Sequence, residues 1–333
     1  MSSIFDRFEL ASIKRMYDNA KAVHKYSHKP TLFILLDMSK CILKDHVGYM
    51  EYNLFHFVNK PQEKRDTYIT FEYSQHLFKT LNDSEKIDIF NDKLAFNKVF
   101  KEYLKRDFID PKQEGVEAFK KFCENKKVIF VKPADSCSGK GIYKNIYLDE
   151  NSNIEDIYNY LVEHSLFAED TIIQNEQMNK LSKHSINTIR VTTLLDSKNE
   201  AHVMYTLLRM GTGDMYIDNV ASGGIYTVLS KDGKIINPAW SDKTISTYTV
   251  HPTTNTPLIG FEIPYFNEAL ELCKNAAKVE NKVRYVGWDI AISDKGPLIV
   301  EGNPLPGYDM AQNYFASGTD IGLKPEFEKV LSI

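Results

Sequence analysis

Only four of the 333 residues are cysteine, and Cys41, Cys123, Cys137 and Cys273 stand far apart with no C-x-x-C spacing. That spacing fits reduced thiols better than a disulfide framework or a zinc site. A His-Glu-x-x-His pattern is absent as well, which removes the helical metalloprotease motif. No apolar run is long enough for a bilayer: the longest, residues 31–43, is interrupted by Asp37 and Lys40 and reads as a buried strand or helix. No basic stretch followed by an apolar one opens the chain, so the cytosol is the expected compartment, without membrane insertion. Basic charge is not in excess either. With 41 Lys and Arg against 45 Asp and Glu, the formal charge is −4, and a nucleic-acid partner, which needs a basic surface to displace counterions, is not expected.

What is present is the composition of an ordinary globular protein, with 43% hydrophobic residues and 19 Tyr and 19 Phe as large anchors. A chain of this length divides into two or three lobes, and the periodicity suggests lobes over residues 1–90, 91–180 and 181–333. Phe8, Ile13, Met16, Tyr17, Ala20 and Val23 lie at helical spacing ahead of the apolar run after Pro30, so the first lobe reads as small, helical and α/β. Residues 91–106 carry Phe96, Val99, Phe100 and Tyr103 at i, i+3, i+4 and i+7, with Asp92 placed for the first turn, which predicts one helix. A second helix is expected over 116–123, then a strand over 128–131. Further strands are expected over 171–174, 188–195, 201–209 and 224–229 in a hairpin-rich, largely antiparallel region. A helix opened by Pro264 runs to about 279, and strands over 286–293 and 297–300 flank the turn Asp294-Lys-Gly296.

Three groups of residues carry chemistry. On the final hairpin, Asp289 and Glu301 fall on adjacent strands, and Glu301 and Asn303, two apart, share a face. Three oxygen donors converge, and magnesium takes one or two carboxylates together with nucleotide phosphates; equally, the acids are ordinary strand ends beside a turn. Lys132 precedes the loop Ser136-Cys-Ser138-Gly139-Lys140-Gly141, whose small residues allow backbone N–H groups near phosphate oxygens while the lysines add positive charge. The loop lacks the G-x-x-x-x-G-K-[ST] pattern and reads alternatively as a plain turn between strands. Arg190 and Arg209 end up in one cleft if their strands pair, with forks suited to phosphate or carboxylate; isolated, they would be surface ion pairs. Asn187, Asn219, Gly223 and Gly224 are candidate substrate contacts or turn residues.

Taken in order, Lys93, Lys132 with its Gly/Ser loop, Gln174-Asn175-Glu176, Arg190, Arg209, Asp289 and Glu301-x-Asn303 resemble the ATP-grasp superfamily, over about residues 91–310. Asn-Thr-Ile-Arg190, Gly-Gly224, His251-Pro252, Gly-Trp-Asp289 and Glu-Gly-Asn303 resemble most the branch associated with sugar transfer and surface-polysaccharide loci. The resemblance implies an α+β fold in which two lobes grip ATP, preceded here by a divergent α/β lobe. It implies that Lys93 and Lys132 contact ATP phosphates, that Ser136, Ser138, Gly139, Lys140 and Gly141 close over them, and that Gln174, Asn175, Glu176 and Gln177 line the adenine and ribose. Asp289, Glu301 and Asn303 would hold two magnesium ions, with manganese able to substitute, and Arg190 and Arg209 would steady the phosphoryl group. The activity implied is ligation of a small-molecule carboxylate, a sugar acid such as a uronic acid or an amino acid, to an amine through an acyl phosphate in capsule or O-antigen biosynthesis. The alternatives are a phosphotransferase acting on a hydroxyl and a nucleotide-binding protein without turnover.

Overall fold

Apart from Ile34 and Ile42, the apolar residues of the run after Pro30 are leucine, methionine, phenylalanine and cysteine, so the β-branched side chains that favour strands are few. In the computed structural model, which describes residues 13–133, 144–213 and 223–332, this run is helical. Helices α1 (Ile13–Ser27) and α2 (Thr31–Lys44) form a hairpin that buries Ala20 and Val23 on one side and Ile34, Met38 and Cys41 on the other. They are followed by α3 (Tyr49–Leu54), α4 (Gln62–Arg65), α5 (Phe71–Leu81) and α6 (Asp88–Asn91). The expectation of an α/β lobe over residues 1–90 is therefore corrected: among the described residues this segment has helices and a single bridge, Asn82 to Val283, but no strand. The run 31–43 is also buried on one face only, since Leu32, Leu36 and Leu43 are 69%, 64% and 64% exposed.

Asp92 accepts hydrogen bonds from the amides of Leu94 and Ala95 and so caps α7 (Lys93–Val99). The single helix expected over 91–106 breaks at Phe100 into α7 and α8 (Lys101–Leu104). Phe100 is wholly buried, with its ring 5.4 Å from Trp288. Phe90 and Phe96 join it, and Gly302 lies under both: a Cβ there would sit 2.8 Å from the Phe96 ring.

The first sheet contains β1 (Phe108–Ile109), then, after helices α9 (Pro111–Glu114) and α10 (Val116–Cys123), β2 (Val128–Pro133) and β3 (Lys144–Tyr147). Helix α11 (Ile154–Glu163) leads to β4 (Leu166–Asp170), and the antiparallel order is β1-β4-β2-β3. Phe119, Leu161, Ile129 and Val131 fill its core. The strand expected over 171–174 lies earlier in the chain, as β4, and Gln174 makes only one bridge, to Ser293.

After α12 (Glu176–Asn179), the second sheet is formed by β5 (Thr188–Leu195), β6 (Ala201–Met210), β7 (Ile225–Val228), β8 (Ala239–Ser241) and β9 (Ser246–Tyr248). Helix α13 (Phe266–Ala277), β10 (Tyr285–Ser293), β11 (Gly296–Asn303), α14 (Tyr314–Ser317) and α15 (Lys324–Leu331) follow. Its order is β11-β10-β5-β6-β7-β8-β9, antiparallel throughout. Alternation along these strands separates two cores. Ile189, Val191, Leu208, Trp288 and Ile290 meet α13 on one face, while Tyr205, Leu207, Tyr226 and Trp240 meet the N-terminal helices on the other. The second face also carries Arg190, Asp289 and Arg209.

Candidate active site

Asp289 on β10 stands directly opposite Glu301 on β11 and Arg190 on β5. Residues paired across antiparallel strands point to one face, so the three side chains form a row. Arg190 Nε donates to Asp289 Oδ1 at 2.5 Å and Nη2 to Oδ2 at 3.1 Å. Arg209 Nη2 lies 2.7 Å from the same Oδ2. Its guanidinium is aimed by Thr188, the residue paired with it, whose Oγ1 accepts from Nε at 3.1 Å and Nη2 at 2.8 Å.

The Asp289 side chain is 2% exposed. Burial by itself would raise its pKa, but the Arg190 and Arg209 charges outweigh that and hold the carboxyl well below the usual range. Glu301 moves the other way: burial and then the Asp289 charge, with which its carboxyl shares a hydrogen bond, push its pKa up. Two acids side by side thus differ in character, one neutralised by arginines and the other in need of a proton or a cation.

Lys132, at the end of β2, lies with Lys93, Asn97, Glu301 and Asn303 around a cleft of about 170 Å³. Residues from three separate segments therefore meet as the sequence leads one to expect. Lys132 Nζ is 2.8 Å from Glu169 Oε1, and Glu169 Oε2 is 3.2 Å from Arg106 Nε. Arg106 in turn donates to the carbonyls of Ile299 at 2.6 Å and Val300 at 3.2 Å. The chain of contacts ties Lys132 of β2 to the strand that carries Glu301. Burial tends to raise the Glu169 pKa, yet Arg106 and then Lys132 bring it below its ordinary value. Lys132 is less basic than usual, because its burial and the neighbouring Arg106 outweigh the help from Glu169.

Glu169 and Arg106 were not anticipated. One signal was available, an acid inside the otherwise apolar Leu166-Phe-Ala-Glu169, since a charge in a buried strand needs a partner. Glu169→Gln leaves Arg106 and Lys132 buried without their anion and is expected to cost about 3 kcal/mol, read as a lower urea midpoint.

Gln174 and Asn187 are turned inward. The Gln174 amide donates to Asn179 Oδ1 and Ser182 O, each at 2.8 Å, and accepts from the Asn187 backbone at 2.7 Å and side chain at 3.1 Å. Asn187 is wholly buried. Through these bonds the two side chains brace the start of β5. Asn175 caps α12 through the Gln177 amide and donates to Asp294 at 3.1 Å. Glu176 is exposed, and Gln177 accepts from Lys180. His251, also buried, joins Gly211 O to the amides of Thr253 and Thr254 and holds the turn beyond β9. Gly223, at φ +117°, and Gly224 lead into β7. Ser136, Ser138, Gly139, Lys140, Gly141 and Asn219 lie outside the described residues.

Among the described residues no three His, Cys, Asp or Glu side chains gather into a metal cage. A magnesium ion that binds mainly through phosphates requires less: Glu301, beside a second carboxyl and Asn303, supplies hard oxygen donors where a cation would relieve repulsion. The residues fit that ion.

Lys93 and Lys132 thus share a cleft with Glu301 and Asn303 of the antiparallel carboxylate hairpin. The chain belongs to the sugar-transfer associated ATP-grasp family, whose model matches residues 72–318. No curated protein sequence matches it. Among solved structures it is similar to the ATP-grasp ligase PsnB complexed with a minimal precursor, at 12% identity and TM-score 0.43, covering 75% of this chain and 62% of that one. It is similar to the ADP complex of purK, an N5-carboxyaminoimidazole ribonucleotide synthetase, at 10% identity and TM-score 0.45, covering 79% and 58%. D-alanine–D-alanine ligase from Bacillus anthracis is 14% identical, with TM-score 0.43 and coverage of 78% and 73%. The chain thus spans less than two thirds of the length of the first two.

Proposed function

We propose that this chain is an ATP-dependent ligase that joins a carboxylate to an amine through an acyl phosphate. The observation that carries the reading is the meeting of Lys93 and Lys132 with Glu301 and Asn303 around one cleft, with Asp289 and its two arginines beside it. In this reading Lys93 and Lys132 bind nucleotide phosphates, and the loop with Ser136, Ser138, Gly139, Lys140 and Gly141 covers them. Glu301 and Asn303 hold magnesium, one ion or two and replaceable by manganese, with Asp289 as an anchored third oxygen donor. Magnesium held there would supply positive charge against the phosphates.

At the hinge, the backbone together with Asn175, Glu176 and Gln177 borders the base and ribose. Arg190 and Arg209 hold Asp289 in place and extend positive charge toward the transferred phosphoryl group. Asn219, Gly223 and Gly224 border the acceptor. A carboxylate oxygen attacks the terminal phosphorus and ADP leaves. An amine then attacks the acyl carbon, phosphate departs, and the nitrogen loses a proton. No protein nucleophile is required; positioning and charge suffice.

The substrate side of the proposal is a sugar acid or amino acid used in surface-polysaccharide assembly, which the family's association with sugar transfer supports. A cytoplasmic location belongs to the same reading, since ATP is supplied there. Among the described residues no helix is long and apolar enough to cross a membrane.

Hydroxylamine tests the chemistry: with magnesium ATP and candidate carboxylates, phosphate release together with a hydroxamate is expected. ADP with a stable phosphorylated product and no hydroxamate would instead identify a phosphotransferase. Lys132→Ala should weaken ATP binding about tenfold or more, the equivalent of one lost charge-assisted contact; unchanged affinity by calorimetry would remove Lys132 from the site.

A further inference from the structure

Isolated exposed leucines are normal on a protein surface and carry no message. A cluster of them on one helix face is different. Six of the nineteen exposed large hydrophobics among the described residues stand on α1 and α2: Ile13, Tyr17, Leu32, Phe33, Leu36 and Leu43. At 3.6 residues per turn, Leu32, Leu36 and Leu43 fall within about 40° of one another, opposite the buried Ile34, Met38 and Cys41. Lys40 and Lys44, both exposed, lie along one edge of this stripe. This helix is apolar on two opposite sides, and the described residues cover only one of them.

Charge indicates what belongs on the other. From residue 13 to residue 44 there are seven lysines or arginines, Lys14, Arg15, Lys21, Lys25, Lys29, Lys40 and Lys44, against two aspartates. One of those, Asp37, is already paired with Arg65 at 2.7 Å. The whole chain is nevertheless formally −4, so positive charge is concentrated on this hairpin while the remainder is acidic. A second copy placed face to face would bring lysines against lysines, and an antiparallel pairing would set Lys25 and Lys29 of one chain beside Lys40 and Lys44 of the other. An apolar stripe edged by lysines is instead the pattern of a helix lying in a membrane interface, with leucines in the acyl boundary and lysines among anionic headgroups.

We infer that the α1–α2 hairpin docks the protein on an anionic lipid surface through Leu32, Phe33, Leu36 and Leu43 and the lysines around them. This is peripheral attachment and not a span. It does not depend on the ligase reading, because the surface would serve any reaction whose substrate or product is held at a membrane.

The test is co-sedimentation of the full chain with vesicles of phosphatidylcholine alone and of equal parts phosphatidylcholine and phosphatidylglycerol, at low and high salt. Binding to the anionic vesicles alone is expected, falling at high salt. The triple variants Leu32→Ser, Leu36→Ser, Leu43→Ser and Lys25→Gln, Lys40→Gln, Lys44→Gln alter only exposed side chains. Each should reduce partitioning about tenfold or more, with ATP consumption in solution unchanged. Absence of binding to anionic vesicles at low salt, equal binding to neutral ones, or undiminished binding in either triple variant would overturn the inference. So would a dimer in analytical ultracentrifugation that the leucine variant dissolves, since a second copy would then cover the face.

Discussion

Glu301→Gln is expected to lower ATP consumption about a thousandfold, the scale on which losing a preorganised charge at a reacting phosphate is felt, while the fold becomes no less stable. The two halves of this result have one origin. Glu301 lies partly buried beside an ionised Asp289, and burial with that neighbouring charge raises its pKa in the metal-free protein. A carboxyl whose folded pKa exceeds its unfolded value contributes stability below the unfolded pKa, about 4.3, and that stability is lost as pH rises through the folded value. Glutamine keeps the hydrogen-bonding shape and removes the titration. The variant should therefore hold its melting temperature through the pH range above 4 in which wild type without magnesium declines. A variant that turned over ATP normally would exclude Glu301 from the metal.

Asp289→Ala should do the reverse and cost stability first, about 5 kcal/mol, at the upper end for removing one partner of a buried ion pair. Arg190 and Arg209 both rest on this carboxylate, at 2.5 and 2.7 Å, and both would lose it. The pH signature is also opposite. Because the two guanidinium groups depress the Asp289 pKa in spite of burial, its contribution is present above the unfolded value, about 3.9, and is lost as pH falls through the folded one in strong acid. Denaturant unfolding at pH 7 and in acid checks both points: the gap between wild type and variant should be large at neutrality and shrink as the acid is titrated. An equal gap at every pH would mean that packing, and not charge, accounts for the loss.

The contrast between the two acids also bears on what can be read from sequence. The hairpin that carries them was legible because its apolar strands and the Asp294-Lys-Gly296 turn are local signals, and the observed β10 and β11 extend the expected strands by only a few residues. The convergence of Lys93, Lys132 and Glu301 came from the order of motifs along the chain. Partners separated by long stretches of chain did not show. Glu169 meets Arg106 and Lys132 only after β4 pairs with β2, and Gln174 meets Asn187 only once the hinge has folded back on β5.

The expectation of an α/β N-terminal lobe rests on an apolar run, which looks much the same in a buried strand and in a helix apolar on both faces. The second of these is present, and the side that the described residues leave exposed is not one that periodicity separates from core. Phe100 interrupts a helix whose spacing is otherwise regular, because packing on Trp288 outweighs local propensity.

Calorimetric titration of magnesium ADP into wild type, Lys132→Ala and Glu301→Gln tests the central claim most directly. Saturable binding of one nucleotide per chain is expected in wild type, weakened in Lys132→Ala and stripped of its dependence on magnesium in Glu301→Gln. Binding that both substitutions leave unchanged, magnesium dependence included, would contradict the placement of the nucleotide between these residues.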